Sequence, residues 1–180
     1  MLEQAAVLER LIDDLRTLAL ADAASLVLAR EPVDLGALVA ETIPAFGAAA
    51  DAGRVVLRTD VPSDPPTVDA DPVRLRSVLG GLVSNALRHT PAGGSVTVRV
   101  GRSADALATV EVADTGTGIA AELLPRVFER FARGTESPGS GLGLAIARDI
   151  VAAHGGDITA ASPTQGHSGT TITIRLPLAD

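Results

Sequence analysis

The order in which strand-like and helix-like stretches follow one another between residues 54 and 178 restricts the fold more than any other feature of this chain. "RVVLRTD" (54–60) and "TVDA" (67–70) read as short strands, with "VPSDPP" as the turn between them. "DPVRLRSVLGGLVSNALRHT" follows, with Asp71 placed to cap a helix and Pro72 to open it. Its apolar face is Leu75, Val78, Leu79, Leu82, Val83, Ala86 and Leu87, while Gly81, Asn85, Arg88 and His89 lie on another stripe. "SVTVRVGR" and "ALATVEVAD" form an antiparallel pair in this reading, and a loop-rich stretch follows them. A helix from Leu142 to His154 then leads into the strands "GDITAAS" and "GTTITIRLPL". A doubly wound sheet would alternate strand and helix one for one, and this chain does not. The order predicts an α+β fold, a two-layer sandwich with helices over one face of a mixed, mostly antiparallel sheet.

Ahead of this body, Leu8, Leu11, Ile12, Leu15 and Leu18 recur at helical spacing against Glu9, Asp13, Asp14 and Arg16, which predicts an N-terminal helix. Two readings of that stripe stay open. It packs on the domain, or it is one arm of a helical hairpin or dimer seam. A second helix begins after Asp34, its expected N-cap, and Pro44 should kink or shorten it. The division expected is 1–33 as an arm and linker, with 34–180 as the folded domain.

With three Phe and no Trp or Tyr, the core must be built from Val, Leu, Ile and Ala. No Cys is present, which excludes disulfides and thiolate metal sites. The net charge of −7 opposes the basic field that nucleic-acid binding needs. No uncharged apolar run reaches the ~20 residues of a membrane span, and "MLEQAAVLERLIDDLR" lacks the basic-then-apolar pattern of a signal peptide. A cytoplasmic location follows as an expectation, with no nucleic acid and no membrane contact by this piece.

Two glycine-rich stretches carry the chemistry. In "GSGLGLAIARDIVAAHGG", Gly139, Gly141 and Gly143 crowd onto the start of an apolar helix, where backbone N–H groups can meet an anion. The run follows no strand, so it is not a dinucleotide fingerprint, and without a Lys it is not a Walker loop. "DTGTGI" (114–119) leaves Asp114 at a strand end, either bonded to its own backbone in an Asx-turn or offered to a ligand. Gly116 and Gly118 would let a flat ligand approach. Mid-helix Asn85 and the Gly80-Gly81 pair are poor helix formers, and a ligand against that face would account for them.

These elements, in this order, resemble the catalytic ATP-binding domain of bacterial two-component sensor histidine kinases, a branch of the GHKL superfamily. "GLVSNALRHT" is similar to the family's N box, "DTGTGI" to its G1 box, "VFERFAR" to its F box and "GSGLGLAIA" to its G2 box, over about residues 54–178. The resemblance implies a Bergerat-type fold and phosphoryl transfer from ATP to a histidine. It gives Asp114 the adenine amine, Gly116, Gly118 and Ile119 the base pocket, and Asn85 a place on Mg²⁺. Arg88 would neutralise phosphate charge, with His89 beside it in the nucleotide site. Gly139, Gly141 and Gly143, with Leu142 and Leu144, would form the lid end, and Thr170 would lie near adenine. Phe128 and Phe131 would anchor the lid by packing, and Arg130 and Arg133 are candidate phosphate contacts. The first 33 residues resemble the end of a dimerisation and phosphotransfer helix. Implied partners are the chain's own dimerisation domain and a response regulator, with the piece itself a monomer or a weak homodimer through residues 1–20. Two features depart from the pattern. Gly81 stands where the family's N box opens with Asn, and no His-Glu-Leu-Arg-Thr-Pro-like acceptor stretch is present, since His89, His154 and His167 lie in other settings. A same-superfamily ATPase and a nucleotide-binding module without catalysis therefore stay open as alternatives.

Overall fold

The computed structural model describes residues 27–132, 141–162 and 169–179. The predicted N-terminal helix, Gly139, Arg133 and His167 lie outside these residues.

The strands and helices follow local chemistry closely. Strand β1 (Glu31–Asp34) leads into helix α1 (Leu35–Thr42), whose N-cap Asp34 accepts the Ala37 amide at 2.8 Å. Pro44 stops that helix as expected. A 3-10 turn (Ile43–Phe46) carries the proline, and α2 (Gly47–Gly53) resumes beyond it. Taken together, Leu35–Gly53 is long and apolar enough to cross a bilayer. In the fold it is broken by the 3-10 turn, and Leu35, Leu38, Val39 and Ile43 join the core. Helix α3 (Pro72–His89) starts at Asp71, whose Oδ1 accepts the Val73 and Arg74 amides. Of its predicted apolar face, Leu87 alone is only partly buried.

Five strands form the main sheet in the order β2 (Val56–Asp60), β4 (Ser95–Arg102), β5 (Ala108–Asp114), β7 (Thr170–Leu176) and β6 (Asp157–Ala161). Only β2 and β4 run parallel; the other three neighbouring pairs are antiparallel. Alternate residues, Val96, Val98 and Val100, Val110 and Val112, Ile172, Ile174 and Leu176, face the helices and are buried. The mixed, mostly antiparallel sheet under helices is as predicted.

The strands at 54–60 and 67–70 are consecutive but do not pair. Strand β3 (Thr67–Ala70) instead pairs antiparallel with β1, from Glu31↔Ala70 to Asp34↔Thr67, in a separate two-stranded sheet. Pro62, Pro65 and Pro66 explain this, since three residues without N–H groups cannot supply the first rungs of a hairpin. Residues 31–33 are thus held to the folded body by β3 pairing.

Helices α3 and α4 (Gly143–Ala153) pack against each other, and one contact joins two of their ends. The Asp71 amide, at the start of α3, donates to His154 Nε2 at the end of α4 (3.0 Å). The start of α3 and the end of α4 therefore meet.

Gly80 and Gly81 sit inside α3 with different surroundings. A Cβ on Gly80 would touch Phe46 Cζ at 3.4 Å, whereas one on exposed Gly81 would meet nothing within 4 Å. Gly81→Ala should therefore stabilise the chain by about 1 kcal/mol, a rise of roughly 2–4 °C in Tm. Thermal denaturation showing no rise would mean that the helix is not regular at this residue.

Candidate functional site

Asp114 ends β5, and the loop that follows folds back onto the last turn of α3. The Thr117 amide donates to the His89 carbonyl at 3.2 Å, and a Cβ on Gly116 would run into that same carbonyl oxygen. Gly118 has φ +77°, and a Cβ there would lie 2.8 Å from Ser162 Oγ. Both glycines thus have a reason within the chain itself for lacking a side chain, beyond any ligand.

The Asp114 carboxylate divides its two oxygens. Oδ1 accepts the Gly116 amide (2.8 Å) and the Thr170 amide (3.1 Å). The first is the Asx-type bond weighed as an alternative to ligand binding, and it forms. Among the described residues no donor meets Oδ2. Burial pushes the Asp114 pKa above its ordinary value, against opposing pulls from the Gly116 and Thr170 amides and from His89. A half-buried carboxylate with one fixed and one open oxygen is suited to accept a single hydrogen bond in a set direction.

Asn85 lies one turn before His89 on α3, so the two share a helix face. It is half-buried, and among the described residues its amide has no hydrogen-bond partner. Arg88 is exposed beside it. At the start of α4, Leu142 occupies the N-cap position, and among the described residues a Cβ on Gly143 would meet nothing within 4 Å. Gly141 (φ +71°) accepts the Phe131 amide through its carbonyl, and a Cβ on it would press within 2.9 Å of the Phe131 backbone. The structure therefore brings Asp114, Gly116, Gly118, Ile119 and Thr170 together against the last turn of α3, which carries Asn85 and His89. Gly141, Leu142, Gly143 and Leu144 lie at the start of α4.

Some expectations change. Phe128 packs on the core, but the Phe131 ring is 68% exposed, so Phe131 anchors this segment through its backbone, at φ +63°, and not by ring packing. Arg130 lies 3.9 Å from Asp149, an ion pair that draws it toward α4. No group of three His, Asp or Glu side chains converges as a cation site among the described residues. Two concavities lie away from this cluster. One of about 290 Å³ is lined by Arg30, Asp69 and His154, and one of about 570 Å³ runs between α1, α2 and β2. Neither includes Asn85 or Asp114.

The sequence reading missed Ser162 and Gly169. Ser162 Oγ accepts the Ile119 amide at 2.9 Å and donates to the Gly169 carbonyl at 2.8 Å. Gly169, at φ +131°, lies so close to β5 that a Cβ would strike the Asp114 carbonyl. A glycine directly before a β-branched strand was the available signal.

A family described as histidine kinase-, DNA gyrase B-, and HSP90-like ATPase matches residues 70–180. The sensor histidine kinase CusS of Escherichia coli K12 is 38% identical, over 98% of this chain and 36% of CusS. Full-length ShkA in complex with AMPPNP superposes with a TM-score of 0.86 at 30% identity, over 98% of this chain and 37% of ShkA. The mycobacterial sensor histidine kinase MprB gives a TM-score of 0.72 at 31% identity, over 82% of this chain and 98% of the MprB structure. The chain spans less than half the length of the curated relatives it matches.

Proposed function

This chain belongs to the histidine kinase-, DNA gyrase B-, and HSP90-like ATPase family, and from that premise we propose how it acts. Residues 34–180 bind Mg-ATP and present its γ-phosphoryl group to a histidine on a dimerisation domain, of which residues 1–33 are the remnant helix and linker. The observation that carries this reading is convergence. The Asp114 loop folds onto the last turn of α3, one turn beyond Asn85, so a carboxylate with one open oxygen and an amide without a partner among the described residues stand together.

Each group has a chemical part. Asp114 Oδ2 accepts the exocyclic amine of adenine, which guanine cannot offer at that place. Gly116, Gly118, Ile119 and Thr170 surround the base. The first-turn amides of α4, from Gly143 and Leu144, donate to phosphate oxygens, and the helix dipole favours that charge. Gly141 supplies the bend at which the lid meets α4. Gly139 belongs to that lid by sequence, and Arg88 and His89 face the phosphates. The Asn85 amide oxygen, a donor type that a hard cation prefers, would hold Mg²⁺, which would supply neutralisation of phosphate charge. With these groups in place the acceptor imidazole attacks phosphorus, the bond to the β-phosphate oxygen breaks and ADP leaves. The acceptor domain and a response regulator are the partners, and the domain works in the cytoplasm, whether or not the parent protein is anchored in a membrane.

An ATPase of the same family would need a carboxylate one turn before Asn85 to activate water, and exposed Gly81 stands there. Turnover on the isolated chain should therefore stay near background. Calorimetry should register Mg-ATP binding, and adding a separate dimerisation domain should yield acid-labile phosphate on histidine. No heat at millimolar nucleotide would leave only a scaffold, and fast hydrolysis without an acceptor would favour the ATPase.

A further inference from the structure

We infer that Ser162 is a positioning residue for purine recognition. Its hydroxyl ties the far end of the Asp114 loop to the segment that opens β7, and so aims the open oxygen of Asp114. The inference rests on the reading that Asp114 selects adenine.

Asp114 is held from two sides. Gly116 grips Oδ1 from within the loop, and Thr170 grips it from β7. The two sides need a link of their own, because a loop with glycines at 116 and 118 has little stiffness. Ser162, directly after β6 and only 9% exposed, supplies that link. Its Oγ accepts from Ile119, where the loop ends, and donates to Gly169, the neighbour of Thr170. Gly118 is what admits the hydroxyl, since a Cβ there would lie 2.8 Å from Oγ. One buried hydroxyl thus satisfies one donor and one acceptor from segments 50 residues apart in sequence, 119 and 169. A single hydrogen bond discriminates between bases only when its acceptor is held within about 0.5 Å, and supporting contacts of this kind provide that precision.

The test separates the tether from nucleotide binding. In the nucleotide-free chain, Ser162→Ala should speed amide exchange at Ile119 by about tenfold or more; unchanged exchange overturns the tether. In calorimetry, Ser162→Ala should weaken adenosine, ADP and Mg-ATP by one common factor of about ten, leaving the ratio between them within about twofold. Unchanged affinities, or a loss confined to Mg-ATP, overturn the purine role. Ser162→Cys keeps the volume with a much weaker donor and acceptor, and should follow the alanine variant. Parent-like affinity in the cysteine variant would show that packing, not hydrogen bonding, is what matters. A parent chain that binds none of the three ligands removes the nucleotide reading and the purine role with it, while Ile119 exchange still reports on the tether.

Discussion

Asp114→Asn should weaken Mg-ATP binding by about 1–3 kcal/mol while making the chain more stable at neutral pH. The variant keeps the shape of the side chain, and its amide oxygen can stay on the Gly116 and Thr170 amides. What changes is the outward atom. An acceptor becomes an N–H₂ donor, aimed at the donating amine of adenine. The stability gain follows from the other end of the same physics. Burial raises the Asp114 pKa above its ordinary 3.8, despite the Gly116 and Thr170 bonds and the His89 charge. Between the unfolded and folded values, the folded chain holds more protons, so stability falls as pH rises through that window. The whole penalty is present above the folded pKa. Asparagine has no proton to lose. Its Tm should exceed that of the parent at about pH 7, and the advantage should fade as the pH falls from the raised folded pKa toward 3.8 and be gone below it. Calorimetry and thermal melts across that range check both halves. Equal ATP affinity removes Asp114 from the adenine pocket, and a less stable variant at neutral pH rules out the desolvation account.

What the sequence made legible is whatever is decided within a few residues. The Asp34 and Asp71 caps, the break at Pro44 and the alternating strands depend on neighbouring backbone groups, and each stands where its residues put it. Choice of strand partner is decided across the chain, which is why β1 was not foreseen and why β3 pairs away from β2. The candidate site divides in the same way. Asn85, Asp114 and the glycines stand out because each breaks a local rule for its element. Ser162 breaks none, since a serine after a strand is ordinary until its partners at 119 and 169 arrive. Glycines mislead in the opposite direction. Gly116 and Gly118 read as clearance for a ligand, yet the His89 carbonyl and Ser162 Oγ already occupy the space their side chains would need.

His154 carries the largest expected effect on stability, and only half of its role can be read locally. At the end of α4 its Nδ1 lies 2.8 Å from the Ile150 carbonyl one turn back, the helix-end contact its position predicts. Its Nε2 faces the Asp71 amide 83 residues away, which requires Nε2 to accept and puts the ring proton on Nδ1. The ring is 3% exposed and closes the shared end of α3 and α4. Arg30 reaches the Ala153 carbonyl at 2.7 Å and the Ala29 amide donates to Asp71 Oδ2 at 3.1 Å, so the entering chain is held there too. His154→Ala leaves a ring-sized hole and an unpaired buried amide, at a cost of about 3–5 kcal/mol. Against a total of roughly 5–15 kcal/mol, that loss brings the domain close to unfolding. The substitutions should fall in a set order. Gln can place a carbonyl oxygen near the Nε2 position and keep the Asp71 bond. Asn, one carbon shorter, matches Nδ1 and leaves the Asp71 amide bare. Denaturation midpoints should therefore run parent, Gln, Asn, Ala, at constant slope. An Asn variant as stable as the Gln variant would mean that the bond between the two helices contributes little, and that α3 and α4 are held in register by apolar packing alone.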